Sequence, residues 1–387
     1  MRPIPRPVDE TGSARPTAAV SAAVPAAALW YEHGVTSAPF LPTVQALRAI
    51  AALMVVLYHV EAGINAWFGP RVPLPSMSFG AAGVDLFFLI SGFIMVVTSR
   101  GLAGGEFMRR RLVRVVPLYW LSLLVFLAAA QVVPAREGQD HSLAATFASF
   151  LFLPYARPDG SIQPLNPVGW TLNYEMLFYV VFALALAVAP GRLVRVVGGV
   201  LALAVLLGHL VQGGPTALRF WTDPIVIEFV VGMMAARLYL AGARIGAWPA
   251  VAMAALGFVL IVALSGRIEP HGWGRLVVWG APSLLILLAA VLGPDPGVPR
   301  LVTRLGDASY SLYLLHLPVL LVFKQVGPRL SLPWEAAATP WLAALAVTVA
   351  SVLIALVTFA WFERPLTKLL RRRLGEAEAT PARAGAS

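Results

Sequence analysis

Apolar residues in this chain arrive in about ten blocks of roughly 18–22, the length an α-helix needs to cross a hydrocarbon core of about 30 Å. The blocks are Val44–Ala62, Gly80–Ser99, Leu112–Val133, Val168–Ala189, Leu193–Gln212, Asp223–Ala241, Ile245–Ser265, Trp273–Leu292, Ser309–Val326 and Trp341–Phe362. Within such a core only helices and closed barrels satisfy their own backbone polar groups. Barrel strands are short and alternating rather than continuously apolar, so the chain reads as all-α and polytopic in a membrane. Composition agrees: 59% of the 387 residues are hydrophobic and 12% are charged, about half the charged share of a soluble domain. A further stretch, Leu143–Pro154, is too short to span and is expected to lie in the interface or to re-enter.

Ten spans bring both termini to one side. The formal charge is +10, an excess that in a soluble protein would point to nucleic acid. Here it reads as loop charge, with membrane lipids rather than nucleic acid as partners. Most of the 29 Lys and Arg residues fall in the tails and the even-numbered loops, which places both termini in the cytoplasm by the positive-inside rule. Residues 1–41 and 374–387 read as disordered cytoplasmic tails, leaving residues 42–373 as one membrane domain. The chain has no cysteine, which removes disulfides, thiolate nucleophiles and Cys–zinc sites. Six histidines without paired spacing give no reason to expect a metal. No nucleophile elbow, Walker loop or dinucleotide fingerprint is present, and no inverted repeat of the transporter kind is visible.

Ionisable groups inside apolar helices are costly and face the protein interior, so each is a functional candidate. Arg48 and His59 are eleven residues apart, which puts them on one helical face with an axial separation of about 16 Å. Asp85 opens the second span, where it either orients a donor or caps the helix, and Ser91 and Gly92 read as small packing residues. Arg109, Arg110, Arg111 and Arg114 read in two ways. They are topological charge at a cytoplasmic entrance, or a phosphate cradle built from guanidinium forks. Glu175 and Tyr179 share a face of the fourth span. A carboxylate that deep needs a partner, and a histidine is the obvious one. Tyr313 and His316 share a face of the ninth span, as a structural contact or a catalytic one. Glu228 is a weaker candidate of the same kind, and Glu363 with Arg364 reads as a helix-end ion pair.

Several of these residues lie in segments that together resemble the acyltransferase-3 family of membrane acyltransferases, and within it the rhizobial-type exopolysaccharide acetylation proteins. Arg48 and His59 supply the basic residue, ten-residue spacer and histidine. Gly83 through Phe88 with Ser91 to Phe93, then Arg110, Arg111 and Arg114 with Pro117 to Trp120, supply the next two motifs. Trp170 to Glu175, Tyr310 to His316 and Phe362 to Pro365 complete the order.

The resemblance implies transfer of an acyl group, usually acetyl from acetyl-CoA, to a hydroxyl of an exopolysaccharide or lipid-linked saccharide at the bacterial inner membrane. On that footing Arg48, Arg110, Arg111 and Arg114 are candidate coenzyme A contacts, with no metal involved. His59 is the candidate general base, and Glu175 the carboxylate that fixes its tautomer. Tyr179 or His316 would polarise the thioester carbonyl. A competing route has His59 acylated directly, relaying the group across the membrane. The alternative from another class is a transporter or flippase for a lipid-linked saccharide. It accounts for buried His and Glu equally well but not for the spacing of Arg48 and His59.

Overall fold

A computed structural model describes residues 40–130, 140–211, 214–267 and 272–375, and every regular element among them is helical. Most of both predicted tails, residues 1–39 and 376–387, lies outside the described residues. The elements are α1 (Pro42–Phe68), α2 (Gly83–Thr98), α3 (Gly104–Ala129), α4 (Leu143–Phe150), α5 (Trp170–Val188), α6 (Leu193–Leu210), α7 (Thr216–Trp221) and α8 (Ile227–Leu240). They continue with α9 (Ala247–Leu264), α10 (Ala281–Leu292), α11 (Arg300–Asp307), α12 (Ser309–Val326), α13 (Thr339–Thr358) and α14 (Arg364–Arg373). Among the described residues nine helices are long and apolar enough to cross a membrane.

The sixth apolar block departs from the expected length. Its helix, α8, has 14 residues after a three-residue 3-10 turn, Pro224–Val226. At 1.5 Å per residue it rises about 21 Å, short of a full hydrocarbon core. Packing explains how a short helix is kept, because α8 lies against α2 with backbone nearly touching backbone. A Cβ on Gly92 would fall 2.0 Å from the Phe229 carbonyl oxygen, and one on Gly232 would fall 2.1 Å from that of Leu89. Glycine is required at both positions, the close approach that small residues permit in membrane bundles.

A second departure concerns the arginines. The helix expected from Leu112 begins at Gly104, so Arg109, Arg110, Arg111 and Arg114 lie within α3 rather than in a loop before it. Arginine is a good helix former, and Glu106 in the first turn suits the positive end of the helix dipole. The short segment forms α4, capped by the Ser142 hydroxyl accepting from the Ala145 amide.

α2 is the most enclosed long helix, whereas α9 and α13 turn large apolar side chains such as Val259, Leu345 and Leu353 outward. That inversion of the soluble pattern is what a lipid-facing rim requires. α1 packs against α2, α11, α12 and α13, and α3 packs against α5 and α12. Pro318 inside α12 has no N–H for the Leu314 carbonyl, four residues before it. Asn166 Nδ2 donates to that oxygen instead, at 3.1 Å. The loop before α5 is thereby tied to the helix that carries Tyr313 and His316.

Candidate active site

The centre of the bundle holds a cavity of about 810 Å³ of empty space, part of it open to solvent. Arg48 from α1, Arg111 and Arg114 from α3, and Glu175 and Tyr179 from α5 line it. So do Ser91 from α2 and Tyr310 and Tyr313 from α12. Its apolar wall is Val84, Phe87, Phe88 and Ile90 with Leu172. Three guanidiniums and one carboxylate face this space, which gives it a cationic lining suited to an anion. Arg111 Nη2 donates to Thr98 Oγ1 at 3.2 Å, while its buried Nε has no hydrogen-bond partner. Arg110 is placed differently. It pairs with Glu106 one turn away at 2.5 Å and is not among the lining residues. Asp307, at the end of α11 outside the spans, feels the same cations. Burial lifts its carboxyl above the usual range, and Arg48, Arg114 and Arg364 pull it back down.

Glu175 accepts hydrogen bonds from Ser91 Oγ at 3.1 Å and from the Tyr179 hydroxyl. The expected pairing of Glu175 with His59 is not formed. α5 brings Glu175 beside α2 and α3, whereas His59 on α1 faces α12 and finds a second histidine there. His59 Nδ1 lies 2.9 Å from the Val55 carbonyl oxygen and 3.2 Å from His316 Nε2. His316 Nδ1 lies 3.1 Å from the Leu312 carbonyl oxygen, and the residue is 1% exposed.

These contacts assign the tautomers, because a carbonyl oxygen only accepts. Both Nδ1 atoms therefore carry hydrogen. The His316 Nε2 lone pair faces His59 Nδ1–H, and His59 Nε2 keeps a lone pair with which to take a proton. Neither histidine lines the cavity, but Tyr313 does, and its ring centroid is 6.3 Å from that of His316. Among the described residues no three His, Asp or Glu side chains converge as metal ligands.

Asp85 sits apart from both groups and is fully buried. It accepts from Arg275 Nε at 2.9 Å and Nη2 at 2.7 Å, a bidentate pair. The Arg275 guanidinium also lies 4.7 Å from the Trp279 ring centroid and 5.7 Å from that of Trp170. Glu228, 2% exposed, is in Coulombic reach of both charges, and Gly280 leaves room for its carboxyl. Arg275 was missed as a site residue because nothing local connects it to Asp85, 190 residues away in sequence. Glu363 accepts from the Ser311 hydroxyl at 2.6 Å, joining the turn before α14 to α12. That contact stands in place of the expected helix-end pair with Arg364.

The arrangement is that of a polytopic helical membrane protein with a cation-lined central cavity and a histidine pair one aromatic ring away. The acyltransferase domain family matches residues 41–360, and the chain belongs to the acyltransferase-3 family. It is an acyltransferase of a kind other than aminoacyl, and family membership sets aside the transporter reading.

Among similar proteins is the exopolysaccharide production protein ExoZ of Rhizobium meliloti (strain 1021), 36% identical over 302 residues. That alignment covers 76% of this chain and 92% of the relative. The putative peptidoglycan O-acetyltransferase YrhL of Bacillus subtilis (strain 168) is 26% identical, over 84% of this chain and 55% of its own length. The acyltransferase MdmB of Streptomyces mycarofaciens is 25% identical, over 88% and 95%. No solved structure matches the chain.

Proposed function

We propose that this protein is an O-acetyltransferase of the bacterial inner membrane, with both termini in the cytoplasm. It moves acetyl from acetyl-CoA to a hydroxyl of an exopolysaccharide or related envelope carbohydrate. The similarity to an exopolysaccharide production protein over nearly all of that relative's length supports the acceptor class. The cationic lining by Arg48, Arg111 and Arg114 supports a donor carrying several phosphates. The distribution of basic residues supports the orientation, with α8 crossing as a short tenth span beside the nine long ones.

The observation that carries the mechanism is the histidine pair, in which His59 has a fixed tautomer and a free Nε2. His59 Nε2 takes the proton of the acceptor hydroxyl as its oxygen attacks the thioester carbonyl carbon. The tetrahedral intermediate collapses with cleavage of the carbon–sulfur bond. The departing thiolate recovers the proton from the imidazolium, giving an ester and free coenzyme A. As the imidazolium forms, His59 Nδ1–H donates to His316 Nε2, the part expected of Glu175 in the sequence-based reading. Glu175, tied to Tyr179 and Ser91, then belongs to the cavity wall that it shares with Arg48 and Arg111.

The test is the His59→Ala variant, checked for membrane insertion, with acetyl-ester content of the surface polysaccharide as the readout. Loss of the esters is expected. Wild-type acetylation would refute the base assignment, and failure of the purified protein to bind coenzyme A would refute the donor.

A further inference from the structure

We propose that Tyr313 is a movable partition between the arginine-lined cavity and the histidine pair, latched shut through its hydroxyl to α5. The inference rests on His59 being the base, because only then must a group held in the cavity reach the histidines. Tyr313 lines the cavity and is 6% exposed. Its ring meets that of Phe87, which also lines the cavity, edge to face at 5.8 Å between centroids, and lies 6.3 Å from the ring of His316, which does not line it. In this proposal a thioester in the cavity meets His59 when that ring moves.

The latch is local and weak enough to open. The Tyr313 hydroxyl lies 2.9 Å from Thr171 Oγ1 and donates to the Val168 carbonyl oxygen at 3.0 Å. Thr171 Oγ1 donates to the same carbonyl, also at 3.0 Å. One oxygen thus serves two donors, so releasing Tyr313 leaves Val168 with a partner. A buried carbonyl abandoned altogether would resist opening far more. Closed, the partition keeps cavity water away from the histidines, where hydrolysis of an activated acyl group competes with transfer. Thr171 sits at the start of α5 and Val168 in the 3-10 turn just before it, Pro167–Gly169, while Tyr313 projects from α12. A shift between these helices that accompanies filling of the cavity would therefore break the latch.

The chain has no cysteine, so His316→Cys creates a single thiol at a position 1% exposed in the parent structure. The probe is 2-sulfonatoethyl methanethiosulfonate, an anion that the guanidiniums draw into the cavity, applied to membrane vesicles of both orientations. His316→Cys alone is expected to label slowly. Adding Tyr313→Phe, which keeps shape but cuts the latch, is expected to speed labelling about fivefold, the factor for losing one net hydrogen bond, whereas Thr171→Val, which leaves Tyr313 as the side-chain donor to the Val168 carbonyl oxygen, is expected not to speed it.

An unchanged rate on adding Tyr313→Phe means a fixed wall and overturns the proposal, as does a gain on adding Thr171→Val. So does an equal gain from Ser351→Ala, which removes a buried hydroxyl bonded only within α13, since that would report general loosening. The two readings fail separately. Normal acetylation by His59→Ala sinks the base while faster labelling still demonstrates the partition. An inactive His59→Ala with unchanged labelling sinks the partition alone.

Discussion

Removing His316 isolates what the histidine pair contributes. In the resting site His59 Nδ1–H is shared between the Val55 carbonyl oxygen at 2.9 Å and His316 Nε2 at 3.2 Å. A neutral hydrogen bond of this kind is worth about 1 kcal/mol net, and one to a charged partner about 1.5–3 kcal/mol. If His59 is the base, as proposed, the bond becomes charge-assisted when Nε2 gains a proton and favours the transition state over the ground state by roughly 1–2 kcal/mol. His316→Ala should therefore lower kcat about 5–30-fold. KM for the donor should hold, because His316 does not line the cavity. His59→Ala should lower kcat about 10²–10⁴-fold, the range for loss of a general base. His316→Gln, whose amide oxygen can accept from Nδ1–H, should recover part of the loss. The assay is transfer of labelled acetyl from acetyl-CoA to polysaccharide in washed membranes at saturating donor. If His316→Ala matches His59→Ala, the tautomer assignment is wrong and His316 is itself the base. If it costs nothing, the contact has no part in the reaction.

Other substitutions probe the remaining polar groups and the helix contacts. Arg111→Gln and Arg114→Gln should each weaken coenzyme A binding about 10–100-fold by equilibrium titration, the worth of a charge-assisted contact. Arg110→Gln should change it less than about threefold, because its partner is Glu106 outside the cavity. Arg275→Leu should cost about 3–5 kcal/mol of unfolding free energy in detergent, since it strands a buried carboxylate. Asp85→Asn should cost less, with Glu228 left as counter-ion, and equal costs would rule that substitution of partners out. Gly92→Ala should prevent assembly or cost about 3 kcal/mol or more, because its Cβ would fall 2.0 Å from the Phe229 carbonyl oxygen. Gly105→Ala, with nothing within 4 Å of its Cβ, should be neutral or slightly stabilising in the same melting assay.

The membrane helices were legible because their signal is local: length and apolarity decide where a chain crosses lipid. Boundaries failed where a second rule competed with the first. Arg109 to Arg114 look like loop charge by the positive-inside rule, yet their propensity carries the helix back to Gly104. The shortness of α8 was hidden because its apolar run is long enough to span, and only the glycine contacts with α2 give a short helix a place. Side-chain pairing was the least legible level. Glu175 was rightly read as needing partners, but Ser91 was taken for packing alone, and its hydroxyl is one of the two groups that satisfy the carboxylate. His59 and His316 are 257 residues apart. Each histidine was visible as a candidate, while their contact depends on how α12 crosses α1, which no local pattern encodes.

The second motif shows how neighbouring residues acquire different tasks from helical geometry alone. At 100° per residue, Val84, Phe88, Ser91 and Met95 form one stripe of α2, and all four line the cavity. Asp85, Leu89 and Gly92 form a second stripe about 100° further round. These residues meet Arg275 and the backbone of α8. Ser91 and Gly92, adjacent in sequence and similar in size, thus answer to unrelated constraints. The serine supplies a hydroxyl to Glu175 within the site, and the glycine supplies the absence of a Cβ that lets α8 approach. α2 separates the cationic cavity from the buried Asp85–Arg275 pair, so neither set of charges neutralises the other. The guanidiniums of Arg48 on α1 and of Arg111 and Arg114 on α3 line the cavity, where the proposed anionic donor would meet them.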